Sequence, residues 1–93
     1  DTDALVAAWV ETWRSGASPS SDRARTMAAR HVEWLRRIPG TPVADGDRER
    51  SIELVRCLGD LYVEDENFAT TYSCPEGAAF VRASLHEYAR TSM

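Results

Sequence analysis

The sequence contains no lysine and no glutamine, and all eleven of its basic residues are arginine. That bias fits a GC-rich coding sequence, whose codons favour Arg and Ala, and carries little about function. Acids outnumber bases fifteen to eleven, a net charge of −4. A domain that grips nucleic acid by itself shows a basic footprint, so no nucleic acid is expected through this domain. Cysteine is scarce: Cys57 and Cys74 are too few and too unevenly placed for a disulfide framework. A reducing, cytoplasmic setting is the expectation, without a Cys57–Cys74 bridge. No apolar run approaches the ~20 residues of a membrane helix, and nothing resembles a signal peptide, so no membrane partner is expected. The chain starts at Asp1 rather than Met, as expected of part of something longer.

What is present is ordinary globular composition, with 43% hydrophobic and 28% charged residues, arguing against disorder. Ninety-three residues suffice for one domain, taken as 1–93. The patterning is helical throughout, with no strand alternation and no repeat. Leu5, Val6, Trp9, Val10 and Trp13 recur at three- and four-residue steps, and Gly16 supplies a stop. A short linker, Ala17 to Ser21, ends in an N-cap for a second helix from about Ser21 to Arg37. Its apolar stripe is Ala24, Met27, Ala28, His31, Trp34, Leu35 and Ile38.

Pro39, Gly40, Pro42 and Gly46 then predict an exposed loop. A third helix is expected from near Asp47 to about Glu64, with Leu54, Val55, Leu58, Leu61 and Tyr62 inward. Asp65 reads as the N-cap of a short fourth helix carrying Phe68 and Tyr72. Ser73-Cys74-Pro75-Glu76 has capping-box spacing for a fifth, which buries Phe80, Val81, Leu85 and Tyr88. The expected class is an all-α bundle of about five helices. Its core is thin, because a chain this small buries only about 60–65% of its unfolded surface.

Set Ile52 at 0° and advance about 100° per residue. The expected apolar sector of the third helix then centres near 240°, with Gly59 beside it at about 340° and Cys57 on its boundary at about 140°. A glycine inside a helix costs about 1 kcal/mol relative to alanine. Close helix packing or close approach of a ligand would offset that. Cys57 has two readings: a boundary residue filling space, or a thiol at the edge of a cleft.

The most specific stretch runs from Cys57 to Phe68, CLGDLYVEDENF. With Tyr72, Pro75 and the run Ala79-Phe80-Val81-Arg82, it resembles the TipAS family of antibiotic-recognition domains, found alone or at the C-terminus of MerR-type regulators. Leu58, Gly59, Tyr62, Val63, Asp65 and Phe68 occupy the places of the family pattern L-G-x-x-Y-V-x-D-x-x-F. A tryptophan-bearing first helix, a Gly/Pro linker and a second helix with His31 near its middle also fit. Two departures stand out: the loop at 39–46 is longer than the family pattern, and the connection from Phe68 to Pro75 is shorter.

The resemblance implies a globin-like fold without haem, for which the chain is also far too short. It implies non-enzymatic binding of bulky, apolar, often macrocyclic antibiotics such as thiopeptides in an aromatic-lined cleft. The domain would then be a drug-responsive effector, with DNA reached only through a separate helix-turn-helix, or a drug-sequestering resistance protein. The candidate ligand-binding residues are His31, Trp34, Leu35, Cys57, Leu58, Leu61, Tyr62, Phe68 and Tyr72. Cys57 matches the family's reactive thiol, which adds to a dehydroamino acid of a thiopeptide held against it.

Plainer readings stand beside these. His31 on an apolar stripe is as a rule a core histidine with a bonded ring nitrogen. Trp9 and Trp13 read as core, Trp34 as a wall. No cofactor is expected; no metal, since neither His31 nor His86 has a second ligand at i+4; and no catalytic residue, since a His31–Cys57 pair lacks a signature for a third, orienting group. A homodimerisation or protein-interaction module without a small ligand is the alternative function, and a small Cys57 enzyme a third.

Overall fold

The computed structural model describes residues 2–67 and 75–93. Its helices are α1 (Thr2–Arg14), α2 (Asp22–Arg36), α3 (Pro42–Asp45), α4 (Arg48–Glu64) and α5 (Pro75–Ser92). There is no strand among the described residues, so the all-α class read from periodicity is the class the chain adopts.

Local chemistry sets the boundaries. Gly16 closes α1 in the left-handed region, φ 82°, where a missing Cβ removes the steric cost. The Ser21 hydroxyl accepts the Ala24 N–H at 3.2 Å and opens α2. Asp47 Oδ1 accepts the Arg50 N–H at 3.1 Å and opens α4. Each such cap satisfies an orphan amide and is worth about 1 kcal/mol.

The loop expected at 39–46 needs correction. Thr41 caps a single helical turn, accepting the Ala44 N–H at 3.2 Å, and Pro42 starts it. Gly46, at φ 78°, ends it. The turn forms because proline tolerates the first helical position, and it buries Val43 against the core. The proline and glycine read as breakers are in fact its start and stop. Ile38, expected on the α2 stripe, lies beyond that helix's C-cap and is 37% exposed. Val32, absent from the expected stripe, is buried instead.

α4 and α5 share the most extensive interface. α2 lies across α5, α1 packs on both α2 and α5, and α3 bridges α2 and α4. The seam of α4 and α5 is set by Gly59, where an added Cβ would stand 3.3 Å from Arg82 Cα and from His86 Cδ2. Helix packing, not a ligand, therefore offsets the cost of this glycine. The same approach rotates the buried face of α4. Ser51, Val55, Gly59 and Tyr62 are buried, a sector centred near 295° rather than the expected 240°. Leu54 and Leu58 are left half-buried and Leu61 is 39% exposed.

The centre of the core is Trp9, Val55, Val81 and Leu85, with Phe80 and Ala89 of α5 around them. Trp13, expected beside Trp9, only packs at its margin. At the far end of α4, Asp65 Oδ1 accepts the Asn67 N–H at 2.9 Å, as a capping residue there would. Phe68, Tyr72 and the Ser73 cap lie outside the described residues.

Candidate functional site

His31, on α2, is sealed in the interior with 1% exposure. Trp9 of α1 donates its indole N–H to His31 Nδ1 at 3.0 Å. An indole nitrogen only donates, so Nδ1 must be the accepting nitrogen and the ring proton sits on Nε2. That N–H then donates to the Tyr62 hydroxyl of α4 at 3.2 Å. One imidazole thus joins three helices, with both nitrogens used. Burial pushes its pKa down from 6.5 to about 4, because the charged form is penalised away from water. Protonation would also aim a second N–H at the indole N–H.

The rings around it are close. Trp34 meets the imidazole edge-on, with centroids 5.6 Å apart and planes at 80°. Trp9 packs edge-on against Phe80 at 6.1 Å. Leu35, one turn on from His31, is buried too. Of the residues singled out in the sequence, the structure therefore gathers His31, Trp34, Leu35 and Tyr62 in one neighbourhood. Sequence reasoning placed Trp9 in the core but did not make it the partner of His31. Nothing in the sequence signals a bond between residues 22 positions apart.

The other candidates lie elsewhere. Leu58 and Leu61 stand on the under-covered side of α4, with Leu54 beside them. Cys57 is an exposed free thiol. It lines a groove of about 310 Å³ with Glu49, Ile52, Glu53, Arg56 and Asp60, so its immediate surroundings are mostly charged rather than aromatic. Round the helix it stands about 40–60° from Leu61 and Leu54, flanking their apolar strip. His31 is sealed inside, whereas Cys57 faces solvent. Phe68 and Tyr72 lie outside those residues.

Beside Gly59, Arg82 Nε donates to Asp60 Oδ1 at 2.9 Å, and His86 Nε2 lies 3.0 Å from the same oxygen. His86 Nε2 is also 3.2 Å from the Arg56 carbonyl. These groups are substantially solvent-exposed, where ion pairs contribute little to stability. They fasten the outer edge of the α4–α5 seam.

A small helical bundle with ring-lined interior contacts and a leucine strip left open on one helix has the make-up of a recognition domain. The chain belongs to the TipAS antibiotic-recognition domain family, whose model matches residues 1–88. That family recognises ligands and is not a known enzyme family. No curated protein and no solved structure matches the chain significantly. No helix among the described residues is long and apolar enough to cross a membrane.

Proposed function

We propose that the chain binds a bulky hydrophobic antibiotic, thiopeptide-like or another macrocyclic or heteroaromatic compound, without transforming it. It does so in the cytoplasm, as the effector domain of a drug-responsive, MerR-type transcriptional activator or as a sequestering resistance protein. The observation that carries this reading is the apolar strip of Leu54, Leu58 and Leu61, within and just before the motif that marks the family. A half-covered leucine row offers area to a large apolar ligand at about 25 cal/mol per Å² removed from water. The buried Trp9–His31–Tyr62 chain holds α1 and α4 in place behind that row. Cys57 is exposed at its flank, and its thiol would add across an electron-poor alkene of a seated ligand, sulfur to one carbon and the proton to the other.

Mass spectrometry after incubation with a panel of thiopeptides, run native and then denatured, tests both parts. The unaltered protein is expected to carry ligand under native conditions and to retain some of it, covalently, after denaturation. Cys57→Ala should lose the covalent fraction and keep the native complex. Leu61→Asp, at an exposed position, should lose both while melting as before. Undiminished binding by folded Leu61→Asp would overturn the assignment of the strip. A protein that binds no member of the panel and instead changes mass with its own concentration is the interaction module.

A further inference from the structure

The seam between α1 and α2 carries a groove at each end. At one end, a groove of about 150 Å³ is lined by Leu5, Arg30, Glu33, Trp34 and Arg37. Pockets for drug-sized ligands measure roughly 300–1,000 Å³, so this groove suits one or two fused rings and is far too small for a macrocycle. Its floor is apolar: Leu5 is 3% exposed and Trp34 is half-buried. Arg30 and Arg37 are exposed on either side of Trp34, one turn before it and one turn after.

Their charge is uncommitted. Glu33, the carboxylate in the groove, is engaged by Arg36 at 2.9 Å on the neighbouring face. Among the described residues, neither Arg30 nor Arg37 makes an ion pair. The other end of the same seam differs. There a groove of about 290 Å³ holds Arg23, which faces Glu11 at 3.9 Å. Only the Trp34 end combines an aromatic wall with two unneutralised guanidinium groups, in a chain whose net charge is −4. Guanidinium donors favour a carboxylate in charge-assisted, often bidentate geometry, and an indole face favours a flat ring.

We propose that this groove binds a small aromatic carboxylate, its ring against Trp34 and its anion between Arg30 and Arg37. The site is separate from the leucine strip on α4 and stands whether or not a macrocycle binds there. Because Trp34 packs against His31, with ring centroids 5.6 Å apart, occupancy of the groove bears on the ring cluster inside.

The test is a titration of the full chain with 2-naphthoate and with its neutral counterpart 2-naphthamide, read by calorimetry and by two-dimensional NMR of the indole N–H groups. Naphthoate is expected to bind at least tenfold more tightly, shifting the Trp34 signal. The double substitution Arg30→Gln with Arg37→Gln should bring the two ligands to parity, with unchanged melting. Raising salt from 20 to 500 mM on the unaltered protein should weaken naphthoate alone, since screening acts on the charge contact, and this reading needs no variant. Equal affinity for the two ligands, absence of naphthoate binding, or a response indifferent to both arginines and salt would overturn the proposal. Failure at Leu61 in the thiopeptide experiment leaves these outcomes untouched.

Discussion

Acidification should destabilise this domain through His31. The folded imidazole has a pKa near 4, against 6.5 when exposed. Between those values the unfolded chain binds a proton that the native core refuses. Stability from this group is therefore complete above pH 6.5 and falls as pH drops towards 4, with a slope approaching 1.4 kcal/mol per unit. Integrating gives a loss of about 2 kcal/mol at pH 5 and about 3 kcal/mol at pH 4. A domain of this size has on the order of 5–14 kcal/mol in all, so the loss at pH 5 equals a fall of about 10 °C in Tm. Urea unfolding at pH 7.5 and pH 5.0 measures it, with His31→Phe as the reference that cannot titrate. The variant should be less stable at both values, because the Trp9 N–H loses its acceptor, but its loss between them should be about 2 kcal/mol smaller. An NMR titration of the imidazole protons reads the same midpoint without a variant. Equal losses in the two proteins, or a His31 midpoint near 6.5, would refute the sealed, neutral ring.

Three further outcomes follow from the packing. Gly59→Val should cost about 2 kcal/mol in urea unfolding, since side-chain bulk at 3.3 Å from the Arg82 backbone forces α4 and α5 apart. Ser84 is 1% exposed and its hydroxyl finds no hydrogen-bond partner among the described residues. Ser84→Ala should therefore raise stability by about 1 kcal/mol, and a fall of that size would show a hidden partner. In a Cys74→Ser background, Cys57 should react with a thiol reagent in the native state at a rate within a few-fold of the unfolded chain, because nothing covers it; strong native protection would contradict its placement.

Much of the scaffold is legible in the sequence because helix ends carry local chemistry. Ser21, Asp47 and Gly16 act where their types suggest, and Leu5, Trp9, Met27, Leu35, Val55 and Leu85 turn inward as their spacing requires. α3 escapes because Pro42 and Gly46 signal both a break and a one-turn helix, and only burial of Val43 decides between them. The rotation of α4 escapes for another reason. Hydrophobicity points to leucines, whereas the close approach of α5 is at a glycine, with a serine buried on the same face of α4. The candidate site divides the same way. His31 and Tyr62 both stand out in the sequence, but their bond spans 31 positions and needs the fold to bring them together.

The imidazole between Trp9 and Tyr62 also limits how this core can be assembled. Greasy side chains of similar volume tolerate exchange among near-native packings. A ring that must receive a proton on one nitrogen and offer one on the other does not. Turned over with its proton still on the same nitrogen, it would set hydrogen against hydrogen at the indole. The relative order of the first, second and fourth helices is thus keyed by polarity as well as by shape, and a collapsed chain with those helices out of register forfeits both bonds at once.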